Sequence, residues 1–172
     1  MVWRTYGAAL AMVAAMQLGG CSRDEGGRAQ SAEQRFAHMD KVDIPVKDIT
    51  VRAWVARSSS DVQSGLMHVT ADEMQPYDDG ARRGMFFYFD HVRSSNDGFW
   101  MLNVPIPLDI AFMQEDGTVV TVETMAPFDT RSTYSDGPYR FTLEVSGGLF
   151  KKLGLKAGDV ISIPASILNS GD

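Results

Sequence analysis

The chain has 172 residues, with 22 acidic against 16 basic side chains and a formal net charge of −6. This acidic balance argues against a nucleic-acid partner, because phosphates need a basic protein face. Cys21 is the single cysteine, so no internal disulfide can form and the fold has to be held together by its core.

The first twenty residues have the pattern of an export signal. They carry one charged side chain, Arg4, then an apolar run over 6–16, and they end in LGG at 18–20 ahead of Cys21. The run is shorter than the 20 or so apolar residues that a membrane span needs. The pattern is similar to a bacterial lipoprotein signal, which predicts cleavage after residue 20 and a lipid on Cys21. A plain secreted protein that happens to carry a cysteine is the alternative.

The residues after Cys21 indicate where the protein is held. Several acyl chains on one amino terminus make membrane attachment effectively permanent. The residue after Cys21 is Ser22 and not an aspartate, a pattern that resembles lipoproteins sorted to the outer membrane. We therefore expect the protein at the periplasmic face of the outer membrane. Residues 21–40 are small, polar and charged, which predicts a flexible tether. A short amphipathic helix over 32–39 is the alternative for part of it.

Residues 41–172 form the predicted domain, and its first half contains one clear strand and two short helices. Apolar and polar residues alternate over 49–55, as in a half-buried strand. A capping box of Ser60 with Gln63 predicts one helical turn, and a box of Thr70 with Glu73 predicts another.

The middle of the domain is richer in aromatic residues. Residues 84–89 are apolar on both faces and predict a central strand, followed by a turn over 91–98. A strand is predicted over 99–103, then a kink at the prolines of 105–107, then a strand over 109–114.

The last part of the domain predicts three more strands. The Asp-Gly pair at 116–117 predicts a hairpin into a strand over 118–124. Residues 139–145 predict another strand, the segment 149–153 a short helix that ends at a glycine, and 160–163 a last strand. The expected fold is therefore mainly β, a compact β-sandwich or barrel-like domain with two or three short helices.

Short motifs are spread over residues 49–163. They are GLM at 65–67, GMF at 84–86, FWM at 99–101 with Asn103, IPLDI at 106–110, LEV at 143–145 with Gly148, and GD at 158–159. Together they resemble the DUF192 family of small, mostly exported bacterial and archaeal domains, whose biochemical function is not established. The resemblance implies a compact β-sandwich or barrel-like domain.

Two departures from the family pattern remove positive charge. Leu102 stands where members usually have a lysine, and His68 with Val69 stands where they usually have a Phe-Arg pair. If relatives hold an anion with those cations, the resemblance implies that this chain does not.

Three residues of the stretch 99–112 form the candidate ligand site. Trp100 offers a stacking face, while Asn103 and Asp109 offer hydrogen bonds, a combination suited to a sugar or a peptide. Asp109 has a structural alternative, in which its carboxylate caps backbone amides at the proline kink.

The functional hypotheses differ in the role of the acids. The leading one is a non-catalytic lipoprotein domain that binds an envelope glycan or protein partner through Trp100, Asn103 and Asp109. The second is an envelope hydrolase in which Asp109 and Glu144 act as a carboxylate pair. The third is a structural or assembly role, with the stretch 99–112 serving only as core.

We predict no cofactor and no metal. His38, His68 and His91 occur singly, without the spacing of zinc ligands. Methionines such as Met67 and Met101 could bind a soft metal, but their apolar neighbours favour packing.

Overall fold

The computed structural model describes residues 30–168. The predicted signal peptide, the lipidation site Cys21 and the predicted tether as far as residue 29 lie outside that range. Among the described residues, no helix has the length and apolar character needed to cross a membrane.

Six strands form one mixed sheet, which confirms the mainly β class. They are β1 (Lys41–Val46), β2 (Ile49–Ala56), β3 (Arg82–Arg93), β4 (Leu108–Met113), β5 (Val119–Met125) and β6 (Tyr139–Ser146). Their order in the sheet is β1-β2-β3-β6-β4-β5. The β2 and β3 strands run parallel and every other neighbouring pair is antiparallel.

The described helices are short and lie between or beside the strands. They are α1 (Ala32–Arg35), α2 (Ser59–Ser64), a 3-10 turn (Asp72–Met74), α3 (Leu149–Lys152) and α4 (Ala165–Leu168). A helix of this length is not stable alone, so these turns depend on their packing against the sheet.

Apolar side chains cover both faces of the sheet. Because side chains alternate along a strand, Met85 and Phe87 of β3 point to one face and Phe86 between them points to the other. We call these the Trp54 face, which carries Trp54, Met85 and Phe87, and the Phe86 face, which carries Val55, Phe86 and Leu143. The central strands β3, β6 and β4 are therefore buried on two sides.

The strong alternating and apolar patterns are confirmed as strands, whereas several boundaries are not. β3 runs on to Arg93, so the turn predicted over 91–98 begins later, with the bond from the N–H of Asp97 to the carbonyl of Ser94. The first helical cap is Ser58 rather than Ser60, because the Ser58 hydroxyl accepts from the N–H of Asp61. In the capping box predicted for Thr70 and Glu73, the Glu73 carboxylate does accept a hydrogen bond of 2.9 Å from the backbone N–H of Thr70.

Two predicted strands are wrong. In the segment 99–103, only Phe99 forms a bridge, with Thr133, and Asn103 takes a left-handed conformation with φ of 58° that no strand can continue. In the segment 160–163, only Val160 forms a bridge, with Thr118. Both segments pack apolar side chains into the core without joining the sheet.

Residues ahead of the predicted boundary at residue 41 already pack on the sheet. Ser31 and Gln34 form a capping box around α1, and Phe36 is buried against Trp54 in an edge-to-face contact with 5.1 Å between the ring centres. The backbone N–H of Ala32 also donates to the Glu73 carboxylate at 2.6 Å. This corresponds to the helical alternative for residues 32–39 and not to a free tether that reaches Asp40.

Candidate functional site

Asp109 is a structural residue on the Phe86 face. Its side chain is 1% exposed, and its carboxylate accepts from the hydroxyl of Thr124 at 2.7 Å and from the backbone N–H groups of Gly148 and Phe150 at 2.9 and 2.8 Å. Gly148 precedes α3 and has no side chain to cap it. Asp109 therefore caps α3 from a neighbouring strand, and its acceptor oxygens are directed to the protein itself.

Trp100 and Asn103 lie in the loop between β3 and β4, and the structure does not bring them together with the Asp109 carboxylate. Trp100 is 47% exposed. The carbonyl of Asn103 accepts from the N–H of His68 at 2.7 Å, which ties this loop to the segment after α2. The predicted triad is thus divided between an exposed loop and a buried cap.

Asp109 and Glu144 do not form a carboxylate pair. In the antiparallel register of β4 and β6, Asp109 lies opposite Val145, and Ile110 lies opposite Glu144. Residues opposite each other share a face, so Glu144 points to the Trp54 face with Ile110 while Asp109 points to the Phe86 face. The sheet itself separates the two acids, and the glycosidase-like arrangement, in which both acids flank one bond, is absent.

Glu144 opens instead onto a small cleft on the Trp54 face. The cleft is lined by the end of α2, the turn after it, β3, the loop of Trp100 and β6, with Val62, Gln63, Ser64, Gly65, Leu66, Met67, Phe87, Phe99, Trp100, Met101, Val104 and Glu144. Its volume is about 30 Å³. A water molecule needs about 10–15 Å³ by this measure, so the cleft has room for one or two atoms of a bound group.

The Glu144 carboxyl has an unusual environment. The side chain is 4% exposed and, within residues 30–168, makes no hydrogen bond or ion pair. Burial raises the pKa of Glu144 to about 8, because the charged form loses its hydration without gaining a partner. At neutral pH it is mostly a neutral acid that can donate one hydrogen bond and accept others.

Aromatic rings form a rigid wall of the cleft. Phe99 meets Phe87 edge to face at 5.1 Å and meets Phe112 in the same way at 5.7 Å. Edge-to-face contacts of this kind stabilise the ring arrangement by more than the burial of apolar surface alone does. Trp100 also lines the cleft while keeping about half of its surface in solvent.

The sequence suggested Glu144 only as the partner of Asp109, whereas the structure buries it by itself on the other face of the sheet. A strand that is buried on both faces also buries its acids, and β6 is such a strand because it inserts between β3 and β4. The sequence feature that could have identified this cleft is the set of short motifs shared with the family. GLM, FWM and the glutamate of LEV all line this one cleft.

The structure offers no evident metal centre among residues 30–168. No group of three or more His, Cys, Asp or Glu side chains there lies close enough to hold an ion. Met67 and Met101 line the cleft, and Met85 lies opposite Glu144 on β3. These thioethers form part of the apolar packing around the acid.

The sheet and the cleft define a class of protein: a mainly β domain with one mixed six-stranded sheet and a buried acid at the base of a small aromatic cleft. The model of the DUF192 family, described as "Uncharacterized ACR", matches residues 33–163, and the chain belongs to this family. The resemblance seen in the motifs is thereby confirmed.

Two solved structures that resemble this fold come from bacteria. A crystal structure of a protein of unknown function from Novosphingobium aromaticivorans DSM 12444 is 30% identical, with a TM-score of 0.60 over 73% of this chain and 85% of that one. A protein from Sinorhizobium meliloti 1021, described as a "putative transcription regulator", is 28% identical, with a TM-score of 0.59 over 71% of this chain and 91% of that one. None of the curated proteins matches the chain.

Proposed function

We propose that this protein is a lipid-anchored, non-catalytic binding domain of the cell envelope, whose ligand or partner engages the cleft above Glu144. The observation that carries the proposal is the Glu144 carboxyl itself: it is buried, has no partner within the described residues and faces the cleft. A bound group that shares a hydrogen bond with this carboxyl would give it a partner inside the cleft.

The composition of the cleft favours binding over hydrolysis. Glu144 is the one acid among its lining residues, and the other carboxylate once considered, Asp109, is on the opposite face of the sheet. A mostly apolar wall with a few converging polar groups is typical of a recognition site. Trp100 provides an exposed aromatic surface beside the opening.

The leader sequence supports the anchored part of the proposal. A lipid on Cys21 would hold the domain at a membrane, and Ser22 favours the periplasmic face of the outer membrane. The partner would then be an envelope glycan or an envelope protein.

The test is a thermal-shift screen of the full chain in detergent against peptidoglycan fragments, envelope glycans and small polar metabolites. A ligand that binds the native state raises its melting temperature by mass action, with a gain of about 2.7 kcal/mol at 100 times Kd. We expect at least one compound to give a shift that Trp100→Ala abolishes. Tyr134→Ala is the matched control, because Tyr134 is 54% exposed and does not line the cleft.

Two results would overturn the proposal. One is the absence of a shift with every compound class. The other is a shift that persists unchanged in Trp100→Ala, since the ligand would then bind elsewhere.

A further inference from the structure

We propose that the Glu144 cleft is a receptor for a primary alkylammonium group, with the nitrogen against the Glu144 carboxylate and the alkyl stem along the apolar wall. This inference rests on the proposed function, because it names the ligand class of the same cleft. Its support comes from charge, size and the chemistry of the wall.

Charge complementarity favours a cation. Glu144 is the one titratable residue among those that line the cleft, and burial is the one cause that shifts its pKa. No cationic side chain of the described residues pairs with it. An ionised carboxylate in such a place is strongly disfavoured until an opposite charge with hydrogen-bond donors reaches it.

The size of the cleft favours an ammonium head group. A volume of about 30 Å³ accepts a group the size of a water molecule, and a protonated amine has that size at its nitrogen. A planar guanidinium, with five N–H donors in a fixed fork, needs a wider site. Gln63 and Ser64 also line the cleft, and both residue types carry a side-chain oxygen that can accept from an N–H group.

The wall suits the rest of the ligand. Leu66 and Met101 are buried at the base of the cleft, whereas Met67 and Trp100 keep part of their surface in solvent. A short methylene stem can leave the cleft along Met67 and Trp100, and the indole ring attracts a cation. A hard metal ion finds no comparable site here, since it would need six or more oxygen ligands around one carboxylate.

Binding of the cation is linked to loss of the Glu144 proton. Because the pKa of Glu144 is about 8, the ionised fraction rises about tenfold between pH 7 and pH 9. An alkylamine stays mostly protonated over that range, so its apparent affinity rises with pH by up to the same factor.

The experiment is an NMR or calorimetric titration of the full chain in detergent with n-butylammonium, and with n-butanol as a neutral ligand of the same stem. A second arm uses the Nα-acetyl, N-methylamide derivative of lysine, which carries the group as a protein side chain would. We expect saturable binding of the ammonium, at least tenfold weaker binding of the alcohol, and a gain of about tenfold from pH 7 to pH 9.

The variants make the test specific. Glu144→Gln keeps the shape of the side chain and should weaken ammonium binding at least tenfold and remove its pH dependence. Glu123→Gln is the matched control, because Glu123 is exposed and does not line the cleft. Thermal unfolding of both variants verifies that they remain folded.

The outcomes separate this inference from the proposed function. Equal binding of alcohol and ammonium, or unchanged binding in Glu144→Gln, overturns the ammonium assignment. A neutral ligand whose effect is lost in Trp100→Ala, with no amine binding, leaves the cleft as a binding site and overturns only the ligand class. Binding of both amines supports the inference, and the tighter of the two shows whether a protein side chain or a free amine is the better source.

Discussion

The Asp109 carboxylate on β4 accepts a hydrogen bond of 2.8 Å from the backbone N–H of Phe150, in the first turn of α3. A second bond of 2.9 Å joins it to the N–H of Gly148. The start of α3 is thereby fixed to a central strand by one buried side chain. Loss of that side chain leaves two amides without an acceptor.

We expect Asp109→Ala to lower the free energy of unfolding by about 2–4 kcal/mol, since each unsatisfied buried group costs roughly 1–3 kcal/mol. Urea denaturation followed by circular dichroism measures the change. Glu123→Ala, an exposed acid on β5, should change stability by less than about 0.5 kcal/mol. A similar small change for Asp109→Ala would refute its role as a cap.

Glu144 should make the stability of the domain fall as the pH rises. Burial raises its pKa from 4.5 to about 8, so between these values the unfolded chain releases a proton that the folded chain keeps. The stabilising effect is complete below pH 4.5 and is lost as the pH passes through about 8, with a slope of at most about 1.4 kcal/mol per pH unit. Stability measured from pH 5 to 9 in wild type and Glu144→Gln checks this.

The difference in stability between wild type and Glu144→Gln reports the titration of Glu144 alone. Asp129 and Asp159 have pKa values lowered to about 2, by Arg131 and by Lys47 with Lys156, so their titration lies well below this window. Parallel stability curves for wild type and Glu144→Gln from pH 5 to 9 would mean that the Glu144 pKa is not raised.

Phe36 should stabilise the domain although it lies in the segment predicted as a tether. Its ring is 5% exposed and packs against Trp54. Phe36→Ala should lower the free energy of unfolding by about 3 kcal/mol, the lower end of the range for truncating a buried phenylalanine to alanine. Phe128→Ala, at a site 62% exposed, is the control and should cost much less. Equal effects of the two changes on the denaturation midpoint would place Phe36 outside the core.

A side chain at Gly84 should destabilise the domain. A Cβ there would lie 2.6 Å from the carbonyl oxygen of Glu144 and 2.9 Å from a methyl of Val51. Gly84→Ala therefore forces β3 away from β6 and should cost roughly 1–3 kcal/mol, as overpacking usually does. Gly137→Ala is the control, because its Cβ would meet only Val120, at 3.4 Å. The melting temperatures of both variants give the comparison, and an unchanged value for Gly84→Ala would contradict the close approach.

Cys21 should be the membrane attachment point. Cys21→Ala removes the thiol that a lipid would modify, so we expect the protein to move from the membrane fraction to the soluble fraction. Incorporation of labelled palmitate should be lost at the same time. Wild-type protein that stays unlabelled, or a variant that stays with the membrane, would argue against the anchor.

Much of the sheet could be predicted because its signals are local. The alternation over 49–55 and the apolar run over 84–89 each fix a strand by themselves. The segment 99–103 is also rich in aromatic and apolar residues but ends in Asn103 with a left-handed backbone, and no short pattern reveals that conformation. Nor does a local pattern distinguish a core segment from a strand that makes sheet hydrogen bonds.

The site was harder to predict because it depends on contacts between distant segments. Glu144 is buried only because β6 inserts between β3 and β4, which lie far before it in the chain. The choice between a ligand-binding and a capping role for Asp109 likewise depends on Gly148 and Phe150, about forty residues away. Residue types suggested both acids, and the strand register placed them on opposite faces of the sheet.

The two outer strands of the sheet limit how other chains can join it. Along β1, Pro45 has no N–H to offer and the charged side chains of Lys41 and Asp43 are exposed, features that discourage edge-to-edge pairing. At the far side, the start of β5 is already bonded, since Val119 exchanges backbone hydrogen bonds with Gly158 and Asp159. Edge-to-edge pairing between copies of the domain is thus discouraged at both sides of the sheet, which leaves the side-chain surfaces for contacts with other molecules.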